Sequence, residues 1–311
     1  MRSTCVSRNT KSFVLLLIVI GVAAIYSMPS SGKEPETKEK TINLYDAAED
    51  FVVANPKSLD ALLVDLFING QTKGDGLMGI NGSEMNLFYE AQHHYENYDM
   101  GNEAALKDAL ASVERAIQKD GDNALNHFFK AFLLSREGKS EDADGAFATG
   151  LSKPHFRTYQ ERGTVALVRF LKSRRSVTEA NAMELFRVSK ELMLNEKFMK
   201  FLNERFHDKV KSGSAEEQRK ITGLLCDLLS EGRDAFDFVR TTNYYLGYIT
   251  MASMPDAAKS NQCDPDISLK PLDEILLIAK AFDKFEKTGS TQDICKTNYW
   301  KTIQKIAKES P

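Results

Sequence analysis

The hexapeptide Gly74-Asp75-Gly76-Leu77-Met78-Gly79 carries the spacing G-x-G-x-x-G, which in a dinucleotide site lets backbone approach a pyrophosphate. That chemistry requires a β-strand before the motif and a helix opening from it, because the helix N-terminus supplies the phosphate's N–H donors. Here a helical pattern precedes the motif and no strand pattern lies nearby, so 69–82 reads as an interhelical loop with Leu77, Met78 and Ile80 tucked onto the core. Fourteen residues is long for such a connection, which makes the loop a candidate for partner contact. His93 and His94 are adjacent within a helical stretch. Neighbouring helical side chains point about 100° apart, so the two rings do not converge on one metal. His127, His155 and His207 have no ligand-like spacing either. No nucleophile stands beside a base, so the sequence leads us to expect no catalytic residue, no metal site and no cofactor.

Four cysteines are present. Cys5 precedes the foldable chain, and Cys226, inside Leu224-Leu225-Cys226-Asp227-Leu228-Leu229, reads as a buried small hydrophobe. In an oxidising compartment Cys263 and Cys295 could pair, pinning a long insertion to the last helix at a gain of about 3–4 kcal/mol in the chain-entropy description. Arg169, Lys172, Arg174 and Arg175 gather at one helix end, where cations satisfy carbonyls and oppose the macrodipole. Tyr244, Tyr245 and Tyr248 have the spacing of core aromatics as readily as of a ligand pocket.

The N-terminus speaks to location. Arg2, Arg8 and Lys11 lie in a basic flank, 1–12, ahead of the uncharged apolar run 13–28. A positive flank followed by an apolar segment is the signature of export. Sixteen helical residues span about 24 Å, short for a hydrocarbon core of about 30 Å, so a retained anchor and a cleaved signal peptide both fit. Residues 29–40, with two prolines and several charges, read as a flexible linker. The expected location is the cell envelope, single-pass with the folded part outside the cytoplasm, or secreted or periplasmic after cleavage. Net charge is −3 with 42% hydrophobic and 27% charged residues, so no basic field favours nucleic acid.

From residue 41 to 311 nearly every segment has helical periodicity. Helices are expected over 44–55, 58–68, 83–98, 103–119, 155–172, 176–194, 196–210, 214–230, 234–254, 271–287 and 291–308, with a helical hairpin at 123–154. Ser176-x-x-Glu179 and Ser214-x-x-Glu217 have capping-box spacing, and an insertion over 254–270 interrupts the pattern.

Residues 124–154 place small Ala131 midway along a first helix, Leu134 beyond it, Gly138 at the turn, Ala143 and Phe147 on a second helix, and Pro154 at the close. This stretch resembles a tetratricopeptide repeat. The segment before it, with Ala109, Val113, Ala116 and Asp120, is similar to the second half of a preceding, divergent repeat. The resemblance covers under a quarter of the chain. It implies an all-α fold of antiparallel helix pairs stacked in a right-handed superhelix, preceded here by the N-terminal apolar helix. In that family the first helix of each repeat lines a concave groove, which on this chain would be Leu125, Phe128, Phe132 and Arg136. That set is mostly apolar, so an open groove would take an apolar or helical segment. A covering helix is the alternative, because 125–134 is apolar nearly all round.

The expected function is protein–protein interaction or scaffolding at the cell envelope, with a protein or peptide partner and a membrane contact through the N-terminal segment if it is kept. The alternative is a helical small-ligand binder or enzyme using the 69–82 loop and the 254–270 insertion. A structural protein with no peptide groove also fits.

Overall fold

In a computed structural model, the structure describes residues 43–55, 58–69, 83–174, 177–189, 192–230 and 270–309. The basic flank, the apolar run 13–28, the linker, the 69–82 loop and the 254–270 insertion with Cys263 all lie outside these residues, as do the three clustered tyrosines. Among the described residues the fold is all-α and no helix is long and apolar enough to cross a membrane. The helices are α1 (Leu44–Ala54), α2 (Leu59–Asn69), α3 (Glu84–Asp99), α4 (Ala105–Lys119), α5 (Ala124–Arg136), α6 (Ser140–Leu151), α7 (Gln160–Ser173), α8 (Glu179–Ser189), α9 (Glu196–Ser212), α10 (Ala215–Ser230), α11 (Lys270–Thr288) and α12 (Asn298–Glu309).

Local sequence sets most helix ends. Asn43, Ser83, Asn123 and Asn195 each cap a helix through a side-chain oxygen, satisfying N–H groups that have no partner within the helix. The Ser214–Glu217 capping box is reciprocal: Ser214 N–H donates to Glu217 Oε2 at 2.8 Å, and Glu217 N–H donates to Ser214 Oγ at 3.3 Å. Gly138 turns the α5–α6 hairpin at φ 82°, a conformation that costs a residue with a Cβ far more than glycine.

The pairs α1–α2, α3–α4 and α5–α6 pack as successive hairpins, with α2 against α3 and α4 against α5. The chain then departs from simple succession. α7 returns to α2 and is followed by α8, while α9 packs on α5 and α10 on α6. α12 closes the far side against α7 and α8. The cations expected merely to quiet the end of α7 hold this return in place: Arg169 pairs with Asp60 of α2 at 3.4 Å, and Arg174 donates to the Ala47 carbonyl of α1 at 2.6 Å.

Three expected helices are shorter than their periodicity. The stretch expected as helix from residue 155 opens only at Gln160, and α8 ends at Ser189 rather than at 194. Before α9, buried Gln92 of α3 donates to Met193 O at 2.9 Å and accepts from Asn195 N–H at 3.2 Å. A side chain thus takes the hydrogen bonds that a helix would have used, and Leu192, Met193 and Leu194 are buried. The last stretch breaks at Thr297 between a 3-10 turn, Ile294–Lys296, and α12.

Close approach within the α5–α6 hairpin depends on Gly150. A Cβ there would lie 2.5 Å from Phe128 Cε1, whereas a Cβ on Gly145 of the same helix meets nothing within 4 Å. Gly150→Ala should therefore destabilise the fold by about 1–3 kcal/mol through overpacking. Gly145→Ala should stabilise it by up to about 1 kcal/mol through helix propensity. Denaturant midpoints of the two variants, moving in opposite directions, are the measurement.

Candidate functional site

The groove positions Leu125, Phe128 and Phe132 have no exposed surface. α9 covers them. Phe128 meets Phe206 at 5.3 Å between ring centroids, and Phe132 meets Phe198 at 5.5 Å and Phe201 at 5.6 Å. An open apolar groove on this hairpin is thereby corrected to the covered alternative, for a physical reason: a helix apolar on every side leaves water only by being enclosed.

Arg136, the fourth position, does emerge. It occupies the last turn of α5, where a cation faces the negative end of the helix dipole, and its guanidinium carbon lies 5.1 Å from the Phe132 ring centroid. Around it the C-terminal ends of α3 and α5 meet the start of α9. Tyr95 meets Phe132 edge-on at 4.7 Å between ring centroids and Tyr98 adjoins Tyr95 at 5.9 Å. Arg205 sits 5.3 Å from the Phe201 centroid and pairs with Asp144 of α6, while Lys197 pairs with Asp99. Met100 projects from this corner with 78% of its surface exposed. Neither Arg136 nor Lys200 has a carboxylate partner among the described residues. The fully buried Tyr95 hydroxyl lies beside the Arg136 guanidinium without reaching hydrogen-bonding geometry. Burial pushes the Tyr95 phenol up, with Arg136 opposing and Asp99 adding, so it keeps its proton. The corner thus offers cations held over aromatic faces, which is chemistry for an anionic and apolar surface. The sequence identified Arg136 and the apolar character of α9. Phe201 and Lys200 were not legible as surface residues, because which side of α9 faces α5 is set by packing.

A second polar cluster lies where 152–159 crosses the start of α5. Asn123 accepts from Leu125 N–H and Arg157 N–H, each at 3.1 Å, and donates to Arg157 O at 3.0 Å. The Tyr159 hydroxyl donates to Asp120 Oδ2 at 2.6 Å and accepts from Asn126 at 3.0 Å. Tyr159 holds φ 62°, a left-handed conformation rare for a residue with a Cβ. Burial and the Asp120 hydrogen bond drive its phenol well above the usual range, so it is a fixed donor rather than an acid–base group. This cluster orients α7 and does no evident chemistry. Nearby, Asp227 of α10 accepts from Phe156 N–H at 2.7 Å, with His155 Nδ1 3.8 Å away.

His93 and His94 have ring centroids 6.4 Å apart, and no group of three or more His, Cys, Asp or Glu suited to a metal occurs among the described residues. The expected Cys263–Cys295 bridge is corrected: the Cys295 thiol is free and exposed in the 3-10 turn, with Sγ 3.6 Å from Glu179 Oε1. Cys226, expected as an inert buried hydrophobe, is instead half-buried and disulfide-bonded. Spacing along the chain cannot foresee this, because a bridge depends on which Cβ atoms the fold brings within about 4 Å. No protein-family model, curated protein or solved structure matches the chain.

Two outcomes follow from these groups. Mass spectrometry of unreduced, alkylated protein should find Cys295 alkylated and the Cys226 peptide cross-linked. Buried His127, whose Nε2 lies 3.0 Å from Gly121 O, has its affinity for a proton lowered by burial, with Lys153 and Lys130 assisting and the Gly121 carbonyl opposing. Below the ordinary histidine value of about 6.5 the unfolded chain therefore takes up a proton that the folded chain refuses. Stability contributed by neutral His127 is complete above that pH and falls as pH drops toward the lower folded value. His127→Gln should flatten the stability curve between about pH 7 and pH 5 relative to wild type, read by urea denaturation.

Proposed function

We propose that this chain is an exported, membrane-tethered helical-repeat protein that holds protein partners at the cell envelope, and that it is not an enzyme. The observation that carries this reading is the corner at the ends of α3 and α5: Arg136 over Phe132, which also meets half-buried Phe201, and Lys200, one turn beyond the Lys197 that pairs with Asp99, lack carboxylate partners, and exposed Met100 follows Asp99. Stacked arginine and aromatic residues are the side chains that dominate binding energy at protein interfaces. The core aromatics are packed against one another and offer nothing to a ligand.

The hairpin order supports a superhelical reading. α3–α4 and α5–α6 follow one another, and α9–α10 continue the stack, α9 on α5 and α10 on α6, with α7–α8 looped back onto α2. A right-handed, tetratricopeptide-like superhelix with one excursion would give such a succession of packed pairs. Export is supported by the basic flank and apolar run of the first 28 residues, and by the disulfide at Cys226, since structural disulfides persist in oxidising compartments. The run 13–28 serves as the tether, or as a signal peptide that leaves the protein secreted or periplasmic.

A photo-cross-linking phenylalanine analogue at Phe201 of the full chain, in its native envelope, is the test. Protein adducts are expected at this position, falling at least about fivefold when Arg136→Glu and Lys200→Glu are introduced, a loss of about 1 kcal/mol. The same analogue at exposed Glu141 on α6 serves as the comparison. No adduct with any polypeptide from Phe201 would overturn the reading.

A further inference from the structure

The exposed side of α1 is chemically the converse of the corner. Tyr45 and Val53 are 62% and 75% exposed, and Asp46 and Asp50 are exposed beside them. Asp46, Asp50 and Val53 fall at i, i+4 and i+7, so they form one outward row about 10 Å long, flanked by Tyr45. Neither aspartate has a cationic partner among the described residues. The inner side of the same helix is committed: Leu44 and Ala48 are buried, Phe51 meets Phe170 of α7 at 5.4 Å, and Arg174 binds the Ala47 carbonyl. α1 is therefore fixed on α2 and α7, and its acidic–apolar row faces away from the other described helices.

We propose that the corner formed by Met100, Arg136, Lys200 and Phe201 receives the α1 row of a second copy of this chain. Asp46 and Asp50 face Arg136 and Lys200, while Tyr45 and Val53 cover Met100 and Phe201. The proposal rests on the reading of the corner as an interaction surface and names its occupant. Charge complementarity selects it: the corner needs carboxylates and apolar cover, and the same chain displays both on one rigid helix. The contact joins unlike surfaces, so each copy keeps one free donor row and one free corner, and association proceeds head to tail into a ring or an open row. One helix row is small against a standard interface of about 800 Å² per partner. Confinement of tethered copies to one membrane raises their effective concentration and makes a weak contact sufficient.

The experiment places the photo-cross-linking analogue at Tyr45 of the full chain in its native envelope. A product of twice the monomer mass is expected, with the cross-link mapping to 98–100 or 197–205. Asp46→Arg with Asp50→Arg should reduce it at least about tenfold, equivalent to about 1.4 kcal/mol, and so should Arg136→Glu with Lys200→Glu. Combining all four reversals should restore the product, which a merely structural effect would not do. Thermal unfolding midpoints of the variants should fall by no more than a few degrees, because Arg136→Glu and Asp46→Arg each oppose a helix dipole and the first also loses its contact with Phe132; the fourfold variant carries the same losses, so its recovery of product reports binding and not stability. Absence of the double-mass product, a cross-link mapping elsewhere, or a yield indifferent to the reversals overturns the proposal. Adducts of Tyr45 with other proteins only also overturn it, while the role of the corner stands or falls separately with the adducts from Phe201.

Discussion

The enclosure of α5 is the constraint on which the rest of the structure depends. Its Phe128, Phe129 and Phe132 have no exposed surface, and each ring leans on several others. Phe128 touches Phe147, Phe156 and Phe206, while Phe129 touches Phe88 and Phe198. Fully burying a phenylalanine gains about 1.5–3 kcal/mol by area, and edge-on aromatic pairs add about 0.5–1.5 kcal/mol. A helix that is apolar nearly all round cannot serve as the wall of a groove. It needs partners around most of its girth, and α4, α6 and α9 supply them, with Phe88 and Tyr95 of α3 against Phe129 and Phe132.

Several features elsewhere follow from that enclosure. α6 can approach only because Gly150 leaves room for the Phe128 ring. α9 must lie along α5, so the chain before it must stop being helical and turn, and Gln92 of α3 supplies the hydrogen bonds that permit the break. The segment joining α6 to α7 runs extended over the capped end of α5, where its backbone groups are taken up by Asn123 and Asp227. Polar side chains thus appear in the interior wherever the packing of α5 forces the backbone to leave regular structure. Their hydrogen bonds hold the irregular connections in place, and Arg136 leaves the aromatic cluster at its edge.

A protein organised this way keeps its strongest contacts for itself and leaves charged and aromatic side chains exposed at the ends of helices. The corner around Arg136 is rigid because its cations rest on rings that belong to the core. α1 is rigid because Arg174 and Phe51 fasten it to α7. Rigid exposed groups lose little conformational freedom on binding, which suits both to docking.

The helical content and most helix starts were legible along the chain, because periodicity and capping are local: Asn43, Ser83, Asn123, Asn195 and Ser214 act within a few residues. The hairpin turn at Gly138 and the burial of Ala131, Ala143 and Phe147 were legible for the same reason. The premature end of α8, the left-handed Tyr159, the free Cys295, the bridged Cys226 and the return of α7 to α2 were not. Each depends on groups brought together from distant parts of the chain, as with Gln92 and Met193 or Arg174 and Ala47. The four groove positions show the division most plainly. Sequence established that Leu125, Phe128 and Phe132 are apolar and share a helix with Arg136. Only the placement of α9 made three of them core and left the fourth as surface, because burial is a property of the neighbours a side chain acquires and not of the side chain alone.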